Sequence, residues 1–315
     1  MMIDILRARR RIAPYIRRTP LVRSPWLSDL SGTRVSLKLE SLQVSNSFKS
    51  RGAFNAVIAR LERPGAPSQL VTASAGNHGR ALAAAAKTFH LPLVVFTPRD
   101  APRTKLDAIG RDGADLRADG RDYDEAERMA KAFAVQTGAE FISPYNDADV
   151  IAGAATVASE MFEDEPGLDT LVVPIGGGGL ISGMATVAKA INPHCEVIGV
   201  EVDASNAFQQ SVRAGSLVEI VPGDTLADGL GGNPDPATIT FAFIQRLVDR
   251  IVTVSEADLA AAIAGLVEAE HLIAEGAGAA ATAALVGARI DVRSRRVGVI
   301  VSGANIDRAR LRALL

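Results

Sequence analysis

The stretch Leu171-Val172-Val173-Pro174-Ile175-Gly176-Gly177-Gly178-Gly179-Leu180 decides the fold. An apolar, β-rich run ends in four glycines, and a helix-like segment, 180–191, follows. Strand, glycine turn and helix in that order make an anion site of the α/β kind. Glycine lets the backbone approach a ligand closely with its N–H groups turned inward, and the helix N-terminus adds partial positive charge. The guest this loop predicts is a phosphate group.

Outward from the loop, strand-like and helix-like stretches alternate along almost the whole chain. Apolar β-rich runs fall at 35–39, 70–73, 93–96, 141–142, 171–175, 197–202, 251–254 and 297–301. Alanine-rich amphipathic segments fall between them at 80–89, 122–137, 150–162, 259–273 and 277–286. The alternation predicts an α/β protein with mainly parallel sheets flanked by helices. Turn signals at Arg63-Pro64-Gly65-Ala66-Pro67 and Ser143-Pro144-Tyr145-Asn146-Asp147 bracket a self-contained run of βα units. They suggest a small domain, 67–146, inserted in a large domain made of 1–66 plus 147–315, with a ligand held in the cleft.

Composition narrows the function classes. Of 315 residues, 48% are hydrophobic and 22% charged, as in ordinary globular proteins. A formal net charge of -2 provides no polyanion-binding field, so nucleic acid is not an expected partner. Cys195 is the only cysteine, which rules out an intrachain disulfide and a multi-cysteine zinc site. No apolar run approaches the roughly 20 residues that span a bilayer, so no membrane partner is expected. Arg7, Arg9, Arg10, Arg11, Arg17 and Arg18 crowd the start. A mitochondrial presequence is one reading of them; Asp4 and Pro14 favour a solvated first helix and a cytoplasmic enzyme.

Three further segments carry candidate chemistry. A Walker-type loop needs Gly-Lys-Ser/Thr, and the chain has no Gly-Lys pair. Gly177-x-Gly179-x-x-Ser182 comes near a dinucleotide fingerprint, with Glu201 about 20 residues on where a ribose-binding acid would sit, but the third glycine is missing. Lysine is scarce, and Lys87, Lys105, Lys131 and Lys189 lie in polar helical patterns. Lys49 instead sits in Ser45-Asn46-Ser47-Phe48-Lys49-Ser50-Arg51-Gly52, a polar turn leading into a helix at 53–61. Helix-terminal potential and burial would both favour its neutral, nucleophilic form. Ser74-Ala75-Gly76-Asn77-His78-Gly79 follows another strand and makes a second anion cradle, sized for a carboxylate. An ordinary helix cap, with His78 filling space, is the plainer reading. Ser302 ends the strand 297–301, where α/β folds place ligand contacts.

Together Ser47-Phe48-Lys49-x-Arg51-Gly52-Ala53, Ser74-Ala75-Gly76-Asn77-His78-Gly79, Gly176-Gly177-Gly178-Gly179-Leu180 and Ser302-Gly303-x-Asn305 resemble the signatures of the serine/threonine dehydratase and serine racemase family. These are fold type II pyridoxal-5′-phosphate enzymes of the tryptophan synthase β superfamily. The likeness extends from Thr19-Pro20-Leu21 to Asp307 and takes in Val150-Ile151-Ala152-Gly153 and Ala227-Asp228-Gly229.

The resemblance implies that Lys49 links covalently to the cofactor and, once freed, takes the substrate Cα proton. Phe48 would pack on the pyridine ring. The amides of Gly176, Gly177, Gly178, Gly179 and Leu180 would hold the phosphate, Asn77 would bond the ring hydroxyl oxygen, and Ser302 would face the ring nitrogen. Gly229 and Glu275 would line the pocket, while Ser74, Ala75, Gly76, Asn77 and His78 would surround the substrate carboxylate. Racemases of the family carry a serine where this chain has Ala75, so dehydration of a small β-hydroxy amino acid is preferred over racemisation. Dehydratases for 3-hydroxyaspartate or phenylserine remain alternatives, as do a dinucleotide oxidoreductase and an inactive cofactor-binding protein.

Cation-activated relatives pair a glutamate at the Glu201 position with an aspartate where this chain has Ala207, so no metal is assigned. His271 and Glu275, at i, i+4 spacing, form a weak ligand pair. Relatives imply a dimer or tetramer. The chain reaches Leu315 soon after the last motif, and neither a C-terminal regulatory domain nor isoleucine feedback is expected.

Overall fold

The structure, a computed structural model, describes residues 1–315 apart from Pro102 and Ser294. Its strands, in chain order, are β1 (Leu21–Arg23), β2 (Arg34–Leu39), β3 (Leu70–Ala73), β4 (Leu93–Pro98), β5 (Asp115–Gly120), β6 (Glu140–Phe141), β7 (Thr170–Pro174), β8 (Glu196–Val202), β9 (Arg250–Val254) and β10 (Arg296–Val301). They form two sheets. The six-stranded sheet runs β1-β2-β10-β7-β8-β9 and is parallel except for the β1 edge. The four-stranded sheet runs β5-β4-β3-β6 and is parallel throughout. Its strands all come from residues 70–141.

Parallel strands covered on both faces have no wet side, which explains the continuous apolar runs. Val172, Val173, Val197, Ile198, Val200, Val297, Val299 and Ile300 are all fully buried. One apolar cluster on the six-stranded sheet gathers β2, β8 and β10 with the helix Gly276–Val286. The other gathers β7 with the helices Ala148–Asp164 and Gly179–Ile191. The helix Lys49–Leu61 packs with the four-stranded sheet, since Ala53, Phe54 and Val57 share a cluster with Leu70, Leu82 and Leu93.

Glycines bring three helices into backbone contact. A Cβ on Gly52 would stand 2.8 Å from Val150 O, one on Gly153 would collide with Arg51 O, and one on Gly183 would stand 2.7 Å from Ile151 O. The helix 148–164 is thus clasped between 49–61 and 179–191. Among the described residues no helix is long and apolar enough to cross a membrane.

Two expectations change. The helix expected at 53–61 begins at Lys49 itself, so the lysine occupies the first turn rather than a preceding loop. The helix expected to run to 273 stops at Glu270, because His271 turns left-handed (φ 56) and caps it. Glu275 then precedes a separate helix. His271 and Glu275 therefore share no helical face, and His271 is exposed; the ligand-pair reading falls.

Candidate active site

The four motifs meet at the carboxyl ends of parallel strands, where open α/β sheets place ligands. β2 leads through two short 3-10 turns, Glu40–Leu42 and Val44–Asn46, to Lys49. β3 leads to residues 74–79, β7 to the glycines, and β10 to Ser302. Phe48 N donates to Ser302 O (3.0 Å), Ser47 bridges Gly303, and Ala304 N donates to Asn46 O (2.9 Å). Ser45 and Asn46 both take positive φ, an uncommon conformation that these contacts hold in place.

Lys49 Nζ donates to Pro144 O (2.8 Å) and lies 5.1 Å from the Phe48 ring centre. Its side chain is only partly covered, yet the amine is packed closely. Burial, with no carboxylate to offset it, pushes its pKa down to about 8.

The glycine loop is shaped by close approach. Gly178 has φ 84, which favours glycine. A Cβ on Gly177 would strike the Tyr145 ring, and one on Gly176 would stand 3.0 Å from Gly229 O. Thr240 Oγ1 donates to Gly177 O (2.9 Å). Among the described residues no protein acceptor faces the N–H groups of Gly176, Gly177, Gly178, Gly179 or Leu180. At the start of the helix 179–191, such an arrangement can hold a phosphate.

In the second loop Ser74 Oγ accepts from Gly76 N (3.2 Å) and Gly79 N (3.0 Å). The N–H groups of Ala75, Asn77 and His78 have no protein acceptor among the described residues. His78 is buried, with Nε2 3.3 Å from Ile142 O. A carbonyl can only accept, so Nε2 carries the proton; Nδ1 is buried without a partner among the described residues. Burial first, then the Lys49 charge, push the His78 pKa down to about 3. The imidazole is neutral.

Asn77 Nδ2 donates to Glu275 Oε1 (2.5 Å), and Asn77 Oδ1 accepts from Asn305 Nδ2 (2.6 Å). Burial raises the Glu275 pKa to about 7, against the opposing Asn77 bond. Ser302, buried, donates from Oγ to Ala277 O (3.2 Å). Glu201 lies elsewhere: its two carboxylate oxygens accept Phe208 N (2.9 Å) and Gln209 N (2.7 Å) at the start of the helix Ala207–Ala214. That leaves it no part as a ribose-binding acid. Among the described residues no cluster of three metal-ligating side chains occurs.

Several neighbours of the site carry no role in the sequence reading. Tyr145 lies in a stretch read as a chain break, yet it walls the glycine loop. Asn305 stands in a quoted motif without a function. A buried quartet braces the residue two positions after Lys49: Arg51 forks onto Glu40 (2.8 Å) and Glu160 (2.7 Å), and Lys38 Nζ reaches Glu160 (2.6 Å). Burial lowers the Arg51 pKa, but the two carboxylates outweigh it and raise it overall. The signal for the quartet is Lys38, a charged residue inside a strand buried without a break from Val35 to Leu39.

An amine beside an aromatic ring and two loops whose backbone N–H groups have no protein acceptor among the described residues can together accommodate pyridoxal phosphate and an amino-acid carboxylate. The sequence profile of the family described as "Pyridoxal-phosphate dependent enzyme" matches residues 12–303, and the chain belongs to that family. Over 304 residues the chain is 40% identical to the L-threonine ammonia-lyase of Thermotoga maritima, covering 96% of this chain and 75% of that one. Against the L-threo-3-hydroxyaspartate ammonia-lyase of Saccharomyces cerevisiae the identity is 36%, over 99% of this chain and 95% of the other. The structure of maize serine racemase superposes with a TM-score of 0.93 at 34% identity, covering 99% and 95% of the two chains. The fold is that of the fold type II enzymes, and pyridoxal phosphate is the cofactor.

Proposed function

We propose that this enzyme is a dehydratase of the ammonia-lyase type, which removes water from a small β-hydroxy amino acid, serine or threonine first, and yields a 2-oxo acid and ammonia. The observation that carries the reading is the Lys49 amine, held at Pro144 O with its pKa pushed down to about 8. The ammonia-lyase relatives support the same reaction class.

Pyridoxal phosphate, when bound, withdraws electrons from the substrate Cα and acidifies its proton. Everything else falls to the protein. The free N–H groups of Gly176–Leu180 would seat the phosphate, Phe48 would cover the ring, Asn77 would donate to the ring hydroxyl oxygen, and Ser302 would face the ring nitrogen. Gly229 and Glu275 back these positions. The N–H groups of Ala75, Asn77 and His78 would hold the substrate carboxylate, with Ser74 bracing their loop. Lys49 Nζ, closer to neutral than an ordinary lysine, would take the Cα proton. Ser302 carries no charge, so it does not hold a proton on the ring nitrogen as a carboxylate would.

Residues 67–146 would form the smaller domain over this site, a reading supported by the separate four-stranded sheet. Assembly as a dimer or tetramer belongs to the same proposal and is checked by light scattering. Ile3 and Leu6, exposed on the first helix, are apolar enough to be covered by a second copy.

The test is a panel of serine, threonine, 3-hydroxyaspartate and phenylserine, assayed for ammonia and 2-oxo acid. Turnover is expected with at least one substrate, falling at least about a hundredfold in Lys49→Ala, the scale of a lost general base. No ammonia from any substrate, or full activity in Lys49→Ala, would reject the reading. The likeness to maize serine racemase favours a second reading, racemisation. Ala75 offers no hydroxyl to return a proton on the opposite face, so the other serine enantiomer should form far more slowly than pyruvate.

A further inference from the structure

We infer that Asn305 is a positioning residue that fixes which end of the Asn77 side-chain amide faces the cofactor; this rests on the proposed bond from Asn77 to the ring hydroxyl oxygen. Two elements pin the Asn77 amide. Nδ2 donates to Glu275 Oε1, and Oδ1 accepts from Asn305 Nδ2. A flipped amide would set oxygen against the carboxylate and NH2 against NH2, losing both bonds.

Asn305 cannot flip to accommodate it. Its Nδ2 also donates to Ser45 O (2.8 Å), and its Oδ1 accepts from Arg80 Nη1 and from Asn46 Nδ2 (3.5 Å). A guanidinium has donors only, so Asn305 must present oxygen to Arg80. The polarity then runs one way, each group donating to the next: Arg80 to Asn305, Asn305 to Asn77, Asn77 to Glu275. Asn77 Nδ2 has two protons and Glu275 takes one, which leaves the second for the ring oxygen. Gly303 makes room for this arrangement, because a Cβ there would collide with Glu275 Oε1 and stand 3.3 Å from Asn77 Nδ2.

Asn305→Asp keeps the shape but offers an acceptor where Asn77 Oδ1 needs a donor; Asn305→Ala removes the lock without reversing it. Each is compared with Asn77→Ala for the visible absorption band of the bound cofactor, the pH dependence of that band, and cofactor affinity by fluorescence titration, with melting of the cofactor-free protein as the check on folding. Asn305→Asp should shift the band as Asn77→Ala does and weaken cofactor binding about tenfold, the scale of one hydrogen bond to a charged group. Asn305→Ala should move both in the same direction by less, and it carries the test if Asn305→Asp fails to fold. If Asn77→Ala alters the band while both Asn305 variants keep the parental spectrum and affinity, the positioning role is overturned and the role of Asn77 stands. If Asn77→Ala changes nothing, the reading of Asn77 fails and takes this inference with it.

Discussion

Lys49 does its work through solvation. Among the described residues its only polar partner is a neutral carbonyl, and no charge there offsets the cost of burying an ammonium. Unfolded, the amine titrates near the ordinary 10.5; folded, near 8. Between those values the unfolded chain binds more protons, so stability rises with pH through the window. In the cofactor-free state, Lys49→Met removes that slope. The melting temperature of the parent should therefore rise relative to the variant from pH 8 to pH 10.5, and parallel curves would contradict the shifted amine. Arg51, two residues on, shows the opposite solution: fully buried, it stays charged because Glu40 and Glu160 meet its fork.

The glycine loop and the helix behind it act as one element, with the Tyr145 ring as their wall. Gly177→Ala would drive a methyl into that ring. Overpacking of this kind costs about 1–3 kcal/mol, so cofactor affinity should fall roughly tenfold or more in a titration. Adding Tyr145→Ala should restore part of the loss, because the two changes share one contact; parental binding by Gly177→Ala alone would refute the wall. This wall was illegible in the sequence, since nothing local to a Pro-Tyr-Asn turn says which loop it will touch. The central strands were legible because a strand buried on both faces must be apolar throughout. β5 was not, since Asp115-Leu116-Arg117-Ala118-Asp119-Gly120 lies at a sheet edge and is mostly half-covered. β1, three residues long at an edge of the six-stranded sheet, lacks the length for a pattern. The glycines and the serine of the site could be read because each closely follows a strand, and the lysine because it opens a helix after a polar turn. The partnership of Asn77 with Glu275 and Asn305 spans about two hundred residues of chain and leaves no such trace.

At the scale of the whole molecule, two ion pairs join the 70–141 unit to the segment after β8. Lys105 meets Asp228, and Lys131 Nζ lies 2.7 Å from Asp235. Partly exposed pairs contribute about 0–1 kcal/mol each, too little to hold the fold but enough to tune how these two segments sit against each other. Lys105→Met with Lys131→Met should therefore raise KM about threefold to tenfold at low salt with the melting temperature little changed. The difference should shrink in molar salt, which screens such pairs in the parent as well. Equal KM values at low salt would remove these pairs from any part in substrate binding.

The three clasped helices have another consequence. Glycine-thin contacts among 49–61, 148–164 and 179–191 fix the spacing between the helix that carries Lys49 and the helix that follows the glycine loop. None of these contacts involves residues 70–141, so substitutions there leave that spacing in place. A single methyl at Gly153, driven against the Arg51 carbonyl two residues beyond Lys49, would shift the lysine relative to the glycine loop.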